Sequence, residues 1–165
     1  MLNPQFESII TDLAEQDYAI CQHFLPDDIL LGLHQELQSL QQQQMLKTAG
    51  IGQLGQHQIQ EKIRGDAIFW LDPQPQHPAE CAFTTQIESL IRYLNRECYM
   101  GLAAHEFHYA YYATGTFYKR HLDQFKQDDA RKLSIITYLN PAWQTEDGGE
   151  LVLYLPDHTE KRIPP

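Results

Sequence analysis

Apolar residues recur at intervals of three and four in two segments of the first hundred residues. The first segment, Pro26 to Met45, opens with the N-cap candidates Asp27 and Asp28, and the second runs from about Thr85 to Cys98. The apolar positions are Ile29, Leu30, Leu33, Leu37 and Leu40 in the first segment and Ile87, Leu90, Ile91 and Leu94 in the second. This spacing places them on one face of a helix. The sequence therefore predicts two amphipathic helices.

Glycine and proline punctuate the chain between these helices. Residues 49–66 read AGIGQLGQHQIQEKIRGD, which predicts irregular or edge structure. The segment AIFWLD, residues 67–72, is a short strand candidate, and the loop that follows it contains Pro73, Pro75 and Pro78. We therefore expect one strand between the two helices, closed by a proline-rich loop.

After residue 100 the spacing of apolar residues changes to two, and turn residues separate short segments rich in β-branched and aromatic side chains. The predicted strands lie near Leu102–Tyr112, Thr116–Asp123, Lys132–Asn140, Glu150–Leu155 and Lys161–Ile163. Lys132–Asn140 is apolar on both faces, which is typical of a buried central strand. Helices followed by many strands predict an α+β fold with a β-sandwich or jelly-roll core. Without repeats or linkers, residues 1–165 are expected to form a single domain.

The composition is typical of a globular protein and limits its partners. Of 165 residues, 12 are basic and 22 acidic, which gives a formal charge of −10 and opposes binding to nucleic acid. The sequence has neither a signal-peptide pattern nor an apolar stretch that could span a membrane, so we expect a cytoplasmic protein without membrane contact. The cysteines lack paired or metal-binding spacing and are expected to be buried, reduced thiols: Cys21, Cys81 and Cys98.

The residues with the clearest chemistry are His121 and Asp123. On a strand, side chains two residues apart point to the same side, so the imidazole and the carboxylate would converge. These residue types are two of the three ligands in the 2-His-1-carboxylate triad that holds Fe(II) in oxygenases. The alternative interpretation is an ordinary surface ion pair. Two further pairs with this spacing fall in a predicted helix and a predicted hairpin turn: His34 with Glu36, and His158 with Glu160.

Three longer segments extend this pattern. They are IRGDAIFWLD (residues 63–72), HEFHYAYYATGTFYKRHLDQF (105–125), and RKLSIITYLNPAW with DGGELVLY (131–154). Together they resemble the prolyl 4-hydroxylase family of 2-oxoglutarate- and Fe(II)-dependent dioxygenases, in particular the hypoxia-factor prolyl hydroxylases and their bacterial relatives. The resemblance covers about residues 18–165 in matching order. It implies a double-stranded β-helix, the cupin-like jelly roll, backed by N-terminal helices.

The resemblance also implies roles for single residues. His121 and Asp123 match the first two iron ligands. Tyr138 matches a tyrosine that helps to hold the distal carboxylate of 2-oxoglutarate, and Tyr112 matches one at the wall of the same pocket. Arg131 corresponds to a basic position near the substrate entrance. Without the resemblance, each tyrosine is interpreted as a core aromatic residue whose hydroxyl bonds a backbone carbonyl.

The reaction is implied by the same resemblance. The enzyme would hydroxylate a prolyl residue in a protein or peptide, with Fe(II) as cofactor, 2-oxoglutarate as cosubstrate, and release of succinate and CO2. L-Ascorbate would restore iron that is oxidised in uncoupled cycles. Arg64 and Asp66 of the IRGD segment are expected to form a structural ion pair or turn and to take no part in catalysis.

The sequence departs from the family pattern at its C-terminal end. The family has a second iron-binding histidine well after the aspartate, followed by an arginine that pairs with the 2-oxoglutarate carboxylate. His158 falls in the hairpin turn, and Arg162 comes too early to be that arginine. We therefore expect the last strands and the third ligand to lie beyond Pro165, and the 165-residue chain alone to be inactive. The alternative is a non-catalytic jelly-roll module that binds protein and has lost the iron site.

Overall fold

The computed structural model describes residues 3–50, 63–124 and 131–165. Three helices and five strands occur in these ranges, in the order α1 (Pro4–Gln16), α2 (Asp27–Gln42), β1 (Lys47–Thr48), β2 (Asp66–Trp70), α3 (Pro78–Cys98), β3 (His108–Tyr112), β4 (Leu151–Tyr154) and β5 (Glu160–Ile163). A short 3₁₀ turn covers Thr145–Asp147. The strands form an antiparallel three-stranded sheet in the order β1-β2-β3 and an antiparallel β4-β5 hairpin. Helices with antiparallel strands agree with the predicted α+β class.

Both predicted helices are present, with differences at their starts. Asp27 and Asp28 lie in the first turn of α2 rather than at its N-cap, where Pro26 stands without a side-chain cap. Helix α3 starts at Pro78 instead of near Thr85. Proline suits the first helical position because its missing N–H has no partner there in any helix. The predicted proline loop is therefore shorter than expected.

Helix α1 is an element for which the sequence made no prediction. Its N-cap is Asn3, whose side-chain oxygen accepts hydrogen bonds from the backbone N–H groups of Gln5 and Phe6. The helix ends at Asp17, which adopts a left-handed backbone conformation. Such side-chain and backbone caps satisfy the N–H and C=O groups that a helix leaves open at its ends.

Helix α3 lies at the centre of the packing, and Ile87 and Leu94 on it are 0% exposed. A first cluster of buried residues joins α3 to α2 and β3: Leu25, Leu33, Leu40, Ala79, Phe83, Ile87 and Tyr109. A second cluster joins α3 to α1: Phe6, Ile9, Leu90, Tyr93 and Leu94. The periodic apolar positions of the two predicted helices thus supply much of the core.

Four of the predicted strands agree with the structure in part or in full. The AIFWLD strand is β2, and its register pairs Asp66 with Tyr112 and Trp70 with His108. Only the last part of Leu102–Tyr112 forms a strand, β3. The two C-terminal strands are β4 and β5, within one residue of the predicted limits.

Two predicted strands are wrong. Thr116–Asp123 makes only an isolated antiparallel bridge, between Tyr118 and Arg64. Lys132–Asn140 is not a strand at all, and its Ile136 is 57% exposed, so it is not a buried central strand. A central strand needs a hydrogen-bonded neighbour on each side, and within the described ranges no backbone pairs with this segment. Its side chains at Leu133, Ile135 and Leu139 instead pack against the helical core.

The remaining sequence predictions concern cysteines and the glycine-rich stretch. The three cysteines are free, but none is buried, and Cys98 at the end of α3 is exposed because the packed face of that helix ends at Leu94. Of residues 49–66, positions 51–62 lie outside the described residues. Among the helices that the structure describes, none is long and apolar enough to cross a membrane.

Candidate functional site

The candidate site is built where the segment after β3 crosses the start of β2. The backbone N–H of Lys119 donates to the carbonyl of Ile63, and that of Gly65 donates to the carbonyl of Phe117, both at 2.9 Å. These bonds flank Arg64 and Tyr118, which therefore form a non-hydrogen-bonded pair with neighbouring side chains. The space at Gly65 is tight, because a Cβ there would lie 3.0 Å from the Cβ of Thr116 and would require Thr116 to shift slightly.

The Arg64 side chain is held by Asp66, as the sequence predicts for a structural ion pair. Its Nε lies 2.7 Å from Oδ1 of Asp66, and its Nη2 lies 2.6 Å from Oδ2. Asp66 is 1% exposed, so this forked pair neutralises a buried carboxylate. The hydrogen bond to Asp66 raises the pKa of Arg64 above its ordinary value. The guanidinium carbon lies 4.3 Å from the centroid of the Tyr118 ring.

His121 lies on the other side of Tyr118 and reaches Asp123. The Tyr118 and His121 rings are stacked, with centroids 3.6 Å apart and an interplanar angle of 14°. Nδ1 of His121 lies 2.7 Å from the Lys119 carbonyl, which can only accept, so Nδ1 carries the proton. Nε2 then faces Oδ1 of Asp123 at 3.1 Å. The two side chains predicted to converge do so, through a bend and not through strand alternation.

The geometry of this pair suits a metal ion. The 3.1 Å between Nε2 and Oδ1 is the distance of an ordinary ion pair, and it is also close to the about 3.0 Å that separates two neighbouring ligands at right angles, each about 2.1 Å from one ion. A histidine that ligates a metal usually donates its other N–H to a carbonyl or carboxylate, as His121 does to Lys119. Over residues 3–50, 63–124 and 131–165, no three His, Cys, Asp or Glu side chains are grouped to hold a metal. The described part of the site thus offers two ligands.

Arg131 lies against Asp123 and joins it to a further acid. Its Nη1 donates to the backbone carbonyl of Asp123 at 3.4 Å, and its Nη2 lies 3.0 Å from Oε1 of Glu106. The residue predicted to lie near the substrate entrance is therefore next to a predicted iron ligand. Its role toward a substrate stays a prediction.

Tyr112 lies at the end of β3, paired with Asp66. It is 45% exposed, but the burial of its remaining surface raises its pKa to about 12. This pKa is also influenced by the charges of nearby groups, namely Asp66, Arg64, Tyr118 and Tyr138. Tyr112 therefore lies beside Arg64, Asp66 and Tyr118. The phenol therefore stays protonated at neutral pH and can donate a hydrogen bond.

Tyr138 ties the irregular segment Lys132–Asn140 to the β4-β5 hairpin. Its hydroxyl donates to the carbonyl of Gly149 at 3.1 Å and lies 3.5 Å from that of Ile163. Burial raises its pKa. A bond from the hydroxyl to a backbone carbonyl is what the alternative interpretation of this tyrosine predicts. A role toward 2-oxoglutarate stays a prediction.

Sequence reasoning missed two contacts of the site: the stack of Tyr118 on His121 and the contact of Arg64 with Tyr118. Tyr118 and His121 are three residues apart, and on a regular strand their side chains would point to opposite sides. Their stacking depends on the bend before Asp123 and could not be found from a period of two. The contact of Arg64 with Tyr118 joins segments that are distant in sequence.

Comparison with known proteins identifies the family. The family model of the 2OG-Fe(II) oxygenase superfamily matches residues 107–165. A crystal structure of a Pseudomonas putida prolyl-4-hydroxylase is 35% identical, with a TM-score of 0.86 over 97% of this chain and 81% of that chain. A Trichoplax adhaerens prolyl hydroxylase, in complex with a hypoxia inducible factor oxygen degradation domain peptide fragment, is 25% identical, with a TM-score of 0.81 over 97% and 73%. No curated protein matches the chain.

These similarities confirm the resemblance seen in the sequence. The identity to the Pseudomonas enzyme extends over nearly all of this chain and most of the other. The match to the family model includes His121, Asp123, Arg131 and Tyr138. The chain therefore belongs to the prolyl-4-hydroxylase-like family of 2OG-Fe(II) oxygenases.

Proposed function

We propose that the protein is an iron- and 2-oxoglutarate-dependent dioxygenase that hydroxylates a prolyl residue in a protein or peptide and releases succinate and CO2. The observation that carries this proposal is the His121–Asp123 pair, whose Nε2 and Oδ1 atoms face each other at 3.1 Å in a member of this family. Fe(II) with 2-oxoglutarate as cosubstrate supplies the oxidising chemistry when bound. Ascorbate as a reductant belongs to the same proposal.

The proposed fold is a single domain with a jelly-roll core backed by the N-terminal helices. The antiparallel sheet β1-β2-β3, the β4-β5 hairpin and the similarity to two prolyl hydroxylases support it. In such a core, the segment from Tyr118 to Asp123 would carry the two metal ligands. The bridge between Arg64 and Tyr118 would then align this segment with the sheet.

The proposed mechanism assigns a task to each candidate residue. His121 and Asp123 hold the metal, and the Lys119 carbonyl keeps the His121 proton on Nδ1 so that the Nε2 lone pair faces the metal. Tyr112 and Tyr138, whose pKa values are raised by burial, stay protonated. Tyr112 lines the 2-oxoglutarate pocket, and Tyr138 would turn its hydroxyl from the Gly149 carbonyl to donate to the 2-oxoglutarate carboxylate.

The proposed substrate is a peptide segment that contains a proline. The Trichoplax relative is in complex with a peptide fragment, which supports a peptide or protein substrate here. Arg131 would contact this substrate from beside Asp123, since its side chain already reaches the Asp123 carbonyl.

The test measures metal binding and turnover on protein of verified intact mass. Anaerobic titration with Fe(II) is expected to show one site, and Asp123→Ala should weaken it by more than about 100-fold, because even outer-shell partners are worth 10–100-fold. Glu160→Ala is the matched control: it removes the carboxylate of another His-x-acid pair, which lies on the exposed hairpin. With 2-oxoglutarate and a proline-containing peptide, a chain that continues beyond Pro165 should release succinate, and the 165-residue chain alone should not. Equal Fe(II) binding by Asp123→Ala would contradict the metal assignment.

The second candidate function is a non-catalytic module that binds protein. It is favoured by the finding that, in the described part of the chain, only two ligands converge at the candidate site. Absence of both Fe(II) binding and succinate release, in protein of verified intact mass, would favour this module. Succinate release that depends on Asp123 would exclude it.

A further inference from the structure

We propose that Arg64 is a positioning residue for the metal site: it orients Tyr118, and the ring of Tyr118 fixes the plane of the His121 imidazole. This inference rests on the proposed function, because it concerns how His121 faces a metal. It assigns a role to two residues that the mechanism does not use.

The first step is the anchoring of Arg64. Both oxygens of Asp66 receive the guanidinium, at 2.7 and 2.6 Å, and the side chains are 13% and 0% exposed. A planar guanidinium held by two parallel bonds has a defined orientation. Asp66 itself is fixed in β2, where it pairs with Tyr112. The plane of the guanidinium is therefore set by the sheet.

The second step is the contact between Arg64 and Tyr118, through which the fixed guanidinium orients the tyrosine ring. Arg64 and Tyr118 are directly opposite in the bridge, and the guanidinium carbon lies 4.3 Å from the ring centroid. Guanidinium groups stack on aromatic faces through cation–π attraction and planar contact. In the described part of the chain, the only ring that stacks on Tyr118 is the imidazole of His121.

The third step concerns the freedom of the imidazole. The hydrogen bond from Nδ1 to the Lys119 carbonyl fixes one nitrogen, but the ring can still turn about that contact. Such a turn would swing Nε2 away from Asp123. Stacking on Tyr118 at 3.6 Å and 14° holds the ring plane and so keeps Nε2 at 3.1 Å from Oδ1.

The chain offers a matched control for this arrangement. On α3, Arg96 is paired with Glu97 at 2.6 Å and lies 4.6 Å from the centroid of the Tyr93 ring. It thus has the same three groups, an arginine, an acid and a tyrosine, away from His121. Changing Arg96 tests whether the loss of an arginine–tyrosine stack weakens metal binding wherever it occurs, or only when the stack lies beside His121.

The experiment measures Mn²⁺ binding to the 165-residue chain by calorimetry, without 2-oxoglutarate, at matched folded fractions judged by circular dichroism. Arg64→Lys keeps the charge beside Asp66 but loses the fork and the plane, and Tyr118→Leu loses both stacks. Each is expected to weaken Mn²⁺ binding about tenfold, the lower end for outer-shell partners. Tyr118→Phe, which keeps the ring, and Arg96→Lys should bind within about twofold of the unaltered chain. Unchanged affinity in folded Arg64→Lys would overturn the role of Arg64, and unchanged affinity in Tyr118→Leu would overturn the whole inference.

A second readout needs no metal. A ring stacked on the imidazole shifts the His121 carbon-bound protons upfield, so Tyr118→Leu should move these proton resonances downfield and Tyr118→Phe should not. If Arg64→Lys does not fold, the two Tyr118 variants decide the matter. If the unaltered chain binds Mn²⁺ and Asp123→Ala does not, unchanged binding by Tyr118→Leu overturns this inference alone. If the unaltered 165-residue chain does not bind Mn²⁺, the His121 proton resonances decide this inference, and resonances that Tyr118→Leu leaves unchanged overturn it.

Discussion

Two carboxyl groups are buried among the described residues, those of Asp66 and Glu80, and their surroundings compensate a negative charge to different extents. Asp66 faces the guanidinium of Arg64, so its charge is compensated inside the protein. Glu80 on α3 is 8% exposed, and among the described residues it forms no ion pair with an arginine or lysine. Burial raises the pKa of Glu80, the Tyr109 hydroxyl beside it partly offsets this effect, and Glu36 raises it further. The charge of His77 lowers this pKa only as a lesser cause. A buried carboxyl group without a cation tends to hold its proton.

The raised pKa of Glu80 predicts a pH dependence of stability. The folded state binds this proton more tightly than the unfolded state, so the stabilisation is complete below the unfolded pKa and is lost as the pH rises through the folded pKa. Glu80→Gln, which stays neutral, should gain stability relative to the unaltered chain between pH 4.5 and pH 7.5. Urea denaturation at several pH values measures this difference.

The control for this prediction lies on the same helix. The Glu88 side chain is 45% exposed and its Oε2 lies 3.6 Å from Nη1 of Arg92, so Glu88→Gln should change the free energy of unfolding little and without this trend. An advantage of Glu80→Gln that does not vary with pH would contradict the assigned cause.

At the scale of elements, the close approach of α2 and α3 depends on one glycine. A Cβ at Gly32 would lie 2.7 Å from the Cβ of Ala79, which is 5% exposed. Helix propensity favours alanine over glycine by about 1 kcal/mol, so the glycine costs α2 local stability. The packing of the two helices, which builds the first core cluster, outweighs that cost.

We therefore expect Gly32→Ala to destabilise the protein despite its better helix propensity. Overpacking typically costs about 1–3 kcal/mol, and thermal or urea denaturation would measure it. The double variant Gly32→Ala with Ala79→Gly exchanges the two side chains and should recover part of the loss. A single variant as stable as the unaltered chain would show that the helices can separate without cost.

At the scale of the whole molecule, burial is concentrated in the first two thirds of the chain. Both core clusters are centred on α3, and no described residue after Tyr109 is buried. Among the described residues, the β4-β5 hairpin is contacted by the Tyr138 hydroxyl, which lies 3.5 Å from the Ile163 carbonyl, and by Arg120 over the Tyr154 ring. A two-stranded hairpin with little burial is only marginally stable by itself.

This distribution predicts unequal amide hydrogen exchange. Amides in the middle of α3, such as those of Leu90 and Leu94, should exchange only through global unfolding, because their side chains are buried in the core. Amides of Val152 and Lys161 on the hairpin should exchange through local opening with a lower free energy. Exchange measured by NMR against urea concentration distinguishes the two routes. Equal opening free energies would indicate one cooperative unit.

The candidate site shows which contacts can be predicted from patterns within one segment of the chain and which cannot. The pair His121–Asp123 was predicted correctly as convergent, but for the wrong reason, since a bend and not a strand brings the side chains together. The ion pair of Arg64 with Asp66 was predicted from residues two apart. The stack of Tyr118 on His121 and the contact of Arg64 with Tyr118 were not predictable, because they depend on the bridge between two distant segments.

The sequence by itself determined the helices α2 and α3, the strands β2, β4 and β5, and the family to which the chain belongs. Periodic apolar positions report which face of an element is buried, and that information is local. Tertiary structure alone decided that Lys132–Asn140 is not a strand. It also decided which rings flank His121. Strand pairing and stacking need partners from other parts of the chain, and no periodic pattern within a segment names those partners.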